Sequence, residues 1–214
     1  ASATHAKIEF SAVVNEHFPL IANVEHRVAN VRVRNVGTLV GNLCFAEPHS
    51  DPGALLLLYE ATVDAVGPSS TRSILIEELF AGPYETTLAN DEFITHVTVP
   101  MLPGGMKGAY LKFGYHHRPT LGIGAAVRVA NGVMDDVRLS LGSVSPTPLR
   151  LREAETALRG SEVGDVGAIS NAGKLAASVC DAIDDLHGSA DYKRHLVEVF
   201  VARAVGEAIE NGVK

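Results

Sequence analysis

The 214 residues are 46% hydrophobic and 20% charged, enough apolar material for a substantial core in one large or two modest domains and too much for extended disorder. A formal net charge of -7 with scattered Lys and Arg argues against nucleic-acid binding. No apolar run approaches the roughly 20 residues that span a bilayer. Cys44 and Cys180 lie too far apart to read as a disulfide framework, fit a reducing cytoplasm, and are too few for an iron-sulfur cluster, which takes about four thiolates.

The chain opens with small residues and a short strand-like piece around Ile8-Glu9-Phe10. Phe18, Ile21, Val24 and Val28 recur every three or four residues and predict a helix from about Glu16 to Ala29. A stretch rich in glycine and small polar residues, Val33 to Pro52, follows as a loop, then a helix from about Pro52 to Glu60, with Ser50 or Asp51 as its N-cap and proline in its first turn. Strands are expected at Thr62 to Val66, Thr71 to Ile76 and Glu92 to Val99, with a turn at Gly67-Pro68-Ser69-Ser70 and a short helical turn at Glu77 to Phe80.

Met101-Leu102-Pro103-Gly104-Gly105 interrupts both periodicities and marks the expected boundary between a domain at 1–103 and one at 104–214. Beyond it, Ala109 to Tyr115, Gly122 to Ala130 and Val133 to Leu141 read as strands, the last two joined by the hairpin dipeptide Asn131-Gly132. Helices are then expected over Arg150 to Arg159, Gly167 to Ala182 and Asp191 to Glu210. The last should pack inward on Leu196, Val199, Phe200 and Ala204, with Lys193, Glu198 and Glu207 off the buried stripe. Strands followed by helices give an α+β order.

Gly37, Thr38, Gly41 and Asn42 fall within six positions. Residues without bulky side chains let backbone N–H groups approach a ligand, phosphate above all, and a helix start just downstream favours anions; the same residues also serve in a tight connection between core elements. His26, Arg27, Arg32 and Arg34 border this segment, either as a solvated face or to steer an anion.

The segment resembles the second flavin-binding signature of the FAD-binding subunits of molybdenum hydroxylases, the family of carbon monoxide dehydrogenase medium subunits and xanthine dehydrogenase flavin domains. Arg34, Asn35, Gly37, Thr38, Gly41, Asn42, Ala46, Pro48 and Asp51 fall on its pattern in register. Gly142 to Arg150 with Glu153-Ala154-Glu155, and Asp185 to Leu196 with Arg203-Ala204, resemble the family's C-terminal domain, so the likeness covers nearly the whole chain.

The resemblance implies a two-subdomain flavin-binding fold followed by an antiparallel sheet packed with helices, FAD as cofactor, and contacts to it from Gly37, Thr38, Gly41, Asn42 and Glu47. It makes Asp51 an acceptor for sugar hydroxyls and Lys112 a cation near the flavin ring, in the region that Tyr115-His116-His117-Arg118-Pro119 also approaches; an exposed strand lysine is the plain alternative for Lys112. It further implies electron transfer in a cytoplasmic complex, with substrate oxidised on a molybdopterin-binding large subunit and iron-sulfur clusters on a small subunit. Val40 stands where the family has glycine, Glu47 where it has aspartate and Phe45 where histidine is common. The family's first glycine loop finds no counterpart here, so Ala1 is expected to match an interior point of a longer subunit, and the remaining loop to bind FAD weakly alone. A flavin-free docking domain on the same fold is the alternative from another class.

The other candidate motifs read as structural. Asp184-Asp185 and Glu77-Glu78 are expected as caps and helix-dipole partners rather than catalytic pairs. His116-His117 is no zinc signature, since strand neighbours point to opposite faces. Gly122-Ile123-Gly124 lacks the third glycine of a dinucleotide fingerprint and sits inside a predicted strand. Cys44, between Leu43 and Phe45, is expected as a buried thiol.

Overall fold

The computed structural model describes residues 1–114 and 118–213. The first part holds six helices: α1 (His5–Glu9), α2 (Ala12–His17), α3 (Pro19–His26), α4 (Val31–Val36), α5 (Leu39–Phe45) and α6 (Asp51–Leu58). Three expectations change here. Ile8 and Glu9 belong to α1 and Phe10 is its C-cap, not a strand, because the Thr4 side chain caps the Lys7 N–H and starts a helix. The single helix predicted over 16–29 is broken at Phe18-Pro19, since proline cannot donate into the preceding turn and so opens α3 instead. The glycine-rich loop is two short helices, α4 capped by Asn30 and α5 capped by Thr38.

Next come β1 (Thr62–Val66), β2 (Thr71–Leu75), α7 (Ile76–Leu79), β3 (Phe80–Gly82), β4 (Glu85–Thr86) and β5 (Phe93–Thr98). β2, β1 and β5 form one antiparallel sheet in that order, and β3 pairs with β4. The second part holds β6 (Met106–Phe113), β7 (Leu121–Ala130), β8 (Val133–Gly142) and β9 (Leu149–Arg150), an antiparallel sheet in chain order. It ends with α8 (Arg152–Leu158), α9 (Val166–Val179) and α10 (Ala190–Val213). This is the expected α+β arrangement. At the β7–β8 turn, Asn131 and Gly132 take φ of 51° and 79°, the left-handed pair that a two-residue hairpin of matching twist requires.

α6 joins the two sheets. All eight of its residues are buried, as an element apolar on every side must be. Leu56 and Leu57 enter the core formed with Val63, Ala65 and Ile94 of the first sheet, while Ala54, Leu55 and Leu58 meet Tyr110 of β6 and Val24 of α3. Its last carbonyls accept from Arg138 and Arg150, whose Nη1 atoms lie 2.8 Å from Leu58 O and 3.1 Å from Leu57 O, cations at the negative end of a helix.

β7 is covered on both faces. Leu121, Ile123, Ala125 and Val127 share a core with Leu196, Phe200, Val201 and Ala204 of α10. On the other face Gly124 admits α6: a Cβ there would lie 2.8 Å from Leu58 Cδ1 and 2.6 Å from Ser140 Oγ. The glycines of Gly122-Ile123-Gly124 thus thin a strand under a helix.

Lys193 is the exception to the expected stripe of α10. It is 1% exposed, its Nζ held by Asp185 Oδ2 at 2.7 Å and by Ile183 O at 3.0 Å, because the turn before α10 folds back over the helix start and supplies acceptors. Asp184 accepts from the Ala190 N–H and Asp185 from the His187 N–H, the expected structural use of the acid pair. Cys44 is exposed rather than buried, on the outer side of α5; desolvation by its neighbours still raises its thiol pKa, which weakens it as a nucleophile. No helix among the described residues is long and apolar enough to cross a membrane.

Candidate functional site

The residues singled out from the sequence lie along the α4–α5 junction, α5 and the start of α6, with Lys112 of β6 joined to them at Asp51. Thr38 ends the connection from α4, and its Oγ1 accepts from the Gly41 N–H at 2.9 Å. Gly37 is needed at that junction because a Cβ would stand 2.9 Å from Val33 O, and its carbonyl accepts from the His5 N–H at 3.0 Å. Gly41 is exposed, and an added Cβ there would stand 2.9 Å from Thr38 Oγ1. Val40, the departure from the family pattern, has helical backbone inside α5 without a positive φ, so valine is unstrained.

Asn42 Oδ1 accepts from Ser50 Oγ at 2.6 Å, which is why Ser50, at the N-cap position of α6, makes no side-chain cap bond. The Asn42 amide nitrogen has no partner among the described residues. Glu47 is engaged by protein: Tyr84 Oη donates to it at 2.9 Å, Arg118 Nη2 lies at 3.1 Å and the His49 ring at 3.2 Å. Burial alone would raise the Glu47 pKa, but the bonds from Tyr84 and His49 together with Arg118 hold it below the ordinary carboxylate value.

Asp51 and Lys112, 61 positions apart, form an ion pair at 2.7 Å. Asp51 is 4% exposed, and Tyr110 Oη donates to its Oδ1 at 3.2 Å. Lys112 Nζ also donates to Arg27 O at 3.2 Å, while Arg27 Nη2 donates to Tyr110 O at 2.9 Å. Lys112 is therefore not the solvated strand lysine of the plain alternative, and the carboxylate assigned to sugar hydroxyls already serves two protein donors. The basic cluster is largely spent as well: His26 and Arg34 both meet Glu9, at 2.6 and 3.2 Å. Arg118 is exposed, whereas residues 115–117 of the stretch expected near the flavin ring lie outside the described residues.

Tyr110 was missed from the sequence, whereas Arg27 reads there only as part of a basic cluster and Ser50 only as an N-cap. Tyr110 had a signal, since residues two apart in a strand share a face and Tyr110-Leu111-Lys112 places the phenol beside the lysine. The partners of Arg27 and Ser50 had no signal, because tertiary packing sets them.

FAD, the group implied by the resemblance, needs donors for a pyrophosphate and polar groups for its hydroxyl-bearing chain. The residues fit it: exposed Gly41 carries no side chain to obstruct a ligand, the Asn42 amide beside it has a donor to spare, and Lys112 supplies a cation paired with Asp51, the neighbour in sequence of the Ser50 that holds Asn42.

Comparisons with known proteins identify the family. Residues 1–102 match the family described as FAD binding domain in molybdopterin dehydrogenase, and residues 117–208 match the CO dehydrogenase flavoprotein C-terminal domain. The nicotine 6-hydroxylase medium subunit of Paenarthrobacter nicotinovorans is 32% identical over 207 residues, 96% of this chain and 72% of that protein. The carbon monoxide dehydrogenase medium chain of Hydrogenophaga pseudoflava is 30% identical over 200 residues, 92% and 69% of the two chains. The solved carbon monoxide dehydrogenase from Hydrogenophaga pseudoflava that lacks the Mo-pyranopterin moiety superposes with a TM-score of 0.93 at 30% identity, covering 97% of this chain and 73% of that one. A match to an FAD-binding family weighs against the flavin-free docking alternative.

Proposed function

This chain belongs to the family of FAD-binding medium subunits of molybdenum hydroxylases, and from that membership we propose that it holds the exit cofactor of such an oxidoreductase complex, receiving electrons from iron-sulfur clusters on a small partner subunit while substrate is oxidised on a molybdopterin-binding large subunit. Bound FAD supplies the redox chemistry, accepting electrons one or two at a time and releasing them to an external acceptor. The observation that carries the reading is that Asn42, beside Thr38 and Gly41, is held by Ser50, whose neighbour Asp51 pairs with Lys112 from 61 positions away on β6.

Within this reading the chain's own residues bind and tune. The Asn42 amide donates to the phosphate-bearing part of the cofactor, side-chain-free Gly41 allows its close approach, and Thr38 caps α5 through the Gly41 N–H to hold that turn, with Gly37 keeping the junction between α4 and α5 tight. Asp51 and Lys112 offer it a polar pair whose net charge is near zero, so the pair orients by its dipole more than by a bare charge. Glu47 ties the α5–α6 connection to Arg118 and Tyr84, fixing the rim of the site. We also assign 1–103 to the flavin domain and 104–214 to the C-terminal domain, with α6 as the shared layer, and a cytoplasmic setting in keeping with two free cysteines.

The test is cofactor content. Protein purified in its complex should show flavin absorbance and release FAD on heat denaturation; complex assembled with partners but free of flavin would refute the proposal.

A further inference from the structure

We propose that Tyr110 is a positioning residue of the flavin site, whose hydroxyl fixes the Asp51 carboxylate that in turn holds the Lys112 ammonium. This deepens the FAD reading and rests on it. The contacts run in one line: Tyr110 Oη to Asp51 Oδ1 at 3.2 Å, Asp51 Oδ2 to Lys112 Nζ at 2.7 Å, Lys112 Nζ to Arg27 O at 3.2 Å, and Arg27 Nη2 back to Tyr110 O at 2.9 Å. The circuit closes on itself, and its members come from α3's C-cap, α6 and β6.

The room for this hydroxyl is built into the neighbouring strand. Gly122 of β7 pairs with Lys112 in the sheet register, and a Cβ there would stand 2.3 Å from Tyr110 Oη and 3.3 Å from Asp51 Oδ1. No side chain can occupy that position without displacing the phenol. Tyr110 is 3% exposed, and burial, followed by the adjacent Asp51, raises its pKa well above the ordinary tyrosine value, so the hydroxyl remains a donor at any physiological pH. A buried carboxylate that loses such a donor has no solvent to replace it.

Removing the hydroxyl loosens the Asp51 carboxylate and with it the placement of the Lys112 ammonium, whose positive charge favours electron-rich reduced flavin over the oxidised form. Tyr110→Phe in the FAD-loaded complex is the test, read by FAD reconstitution titrations and by the flavin midpoint potential. Affinity should fall by about tenfold, the effect of one hydrogen bond to a charged group. The potential should move negative; a tenfold difference between the losses in the two redox states corresponds to about 30 mV for a two-electron couple. In a Lys112→Met background the same substitution should leave the potential unchanged, because Tyr110 acts through the pair. Parent affinity and potential in Tyr110→Phe, a lowered melting temperature with unmoved potential, or an undiminished shift in the Lys112→Met background would each overturn the inference. A parent complex that takes up no FAD overturns the underlying reading with it.

Discussion

Phe200→Ala probes the packing that carries the C-terminal part. Phe200 is 8% exposed, its ring centroid lies 5.4 Å from that of Phe113 on β6, and Arg203 Cζ stands 5.0 Å from its centre on the solvent side. Truncating a fully buried phenylalanine costs about 3 to 5 kcal/mol through lost transfer energy and the cavity left behind. Here the ring borders a surface groove with Leu111 and Arg203, so water and the arginine stem can fill part of the space. The expected loss is therefore about 3 to 4 kcal/mol, including about 0.5 to 1 kcal/mol for the cation over the ring. For a chain of this size that lowers Tm by roughly 6 to 16 °C. Differential scanning calorimetry of parent and variant reads it directly, and Phe200→Leu, which keeps most of the volume, should lose less than about 1.5 kcal/mol. A Phe200→Ala curve within about 2 °C of the parent would refute the argument that α10 is anchored on β6 through this ring.

Asp51→Ala should weaken FAD binding by on the order of 1 to 3 kcal/mol, since it strands the Lys112 ammonium and the Tyr110 hydroxyl; unchanged FAD retention through dialysis would reduce Asp51 to an anchor for Lys112. Gly124→Ala should destabilise the fold by about 1 to 3 kcal/mol because its Cβ would meet Ser140 Oγ and Leu58 Cδ1, and a melt equal to the parent's would show that α6 shifts freely. His187 stacks on His49 with centroids 4.6 Å apart, and burial, with His49, Lys193 and Arg118, holds its pKa below the ordinary 6.5. The unfolded chain therefore takes up this proton before the folded one does, and stability contributed at neutral pH declines as pH falls below 6.5. His187→Asn should flatten Tm between pH 7 and pH 5, and an equally steep profile in the variant would locate the sensitivity elsewhere.

Periodicity alone placed most of this fold. The strands at 62–66, 71–75, 121–130 and 133–142 and the Asn131-Gly132 turn follow from alternation and from residues that accept positive φ, which are local properties. The first 45 residues read less well because their helices are short, and side-chain caps at Thr4, Asn30 and Thr38 decide them more than any apolar stripe. The small-residue segment read as a phosphate-binding stretch or a tight connection because bare backbone is written into the residue types themselves, and only the family pattern pointed to flavin. What that backbone works beside was decided by the tertiary structure. Asp51 reads from the sequence as a helix start and Lys112 as a strand lysine, and only the packing of α6 against β6 and β7 makes them an ion pair with Tyr110. The same holds for Lys193, whose charge predicts exposure until the chain folds Asp185 and Ile183 O over it. An apolar pattern records which face of an element avoids water, whereas the partner of a buried charge is chosen by groups distant in sequence, and no local pattern encodes it.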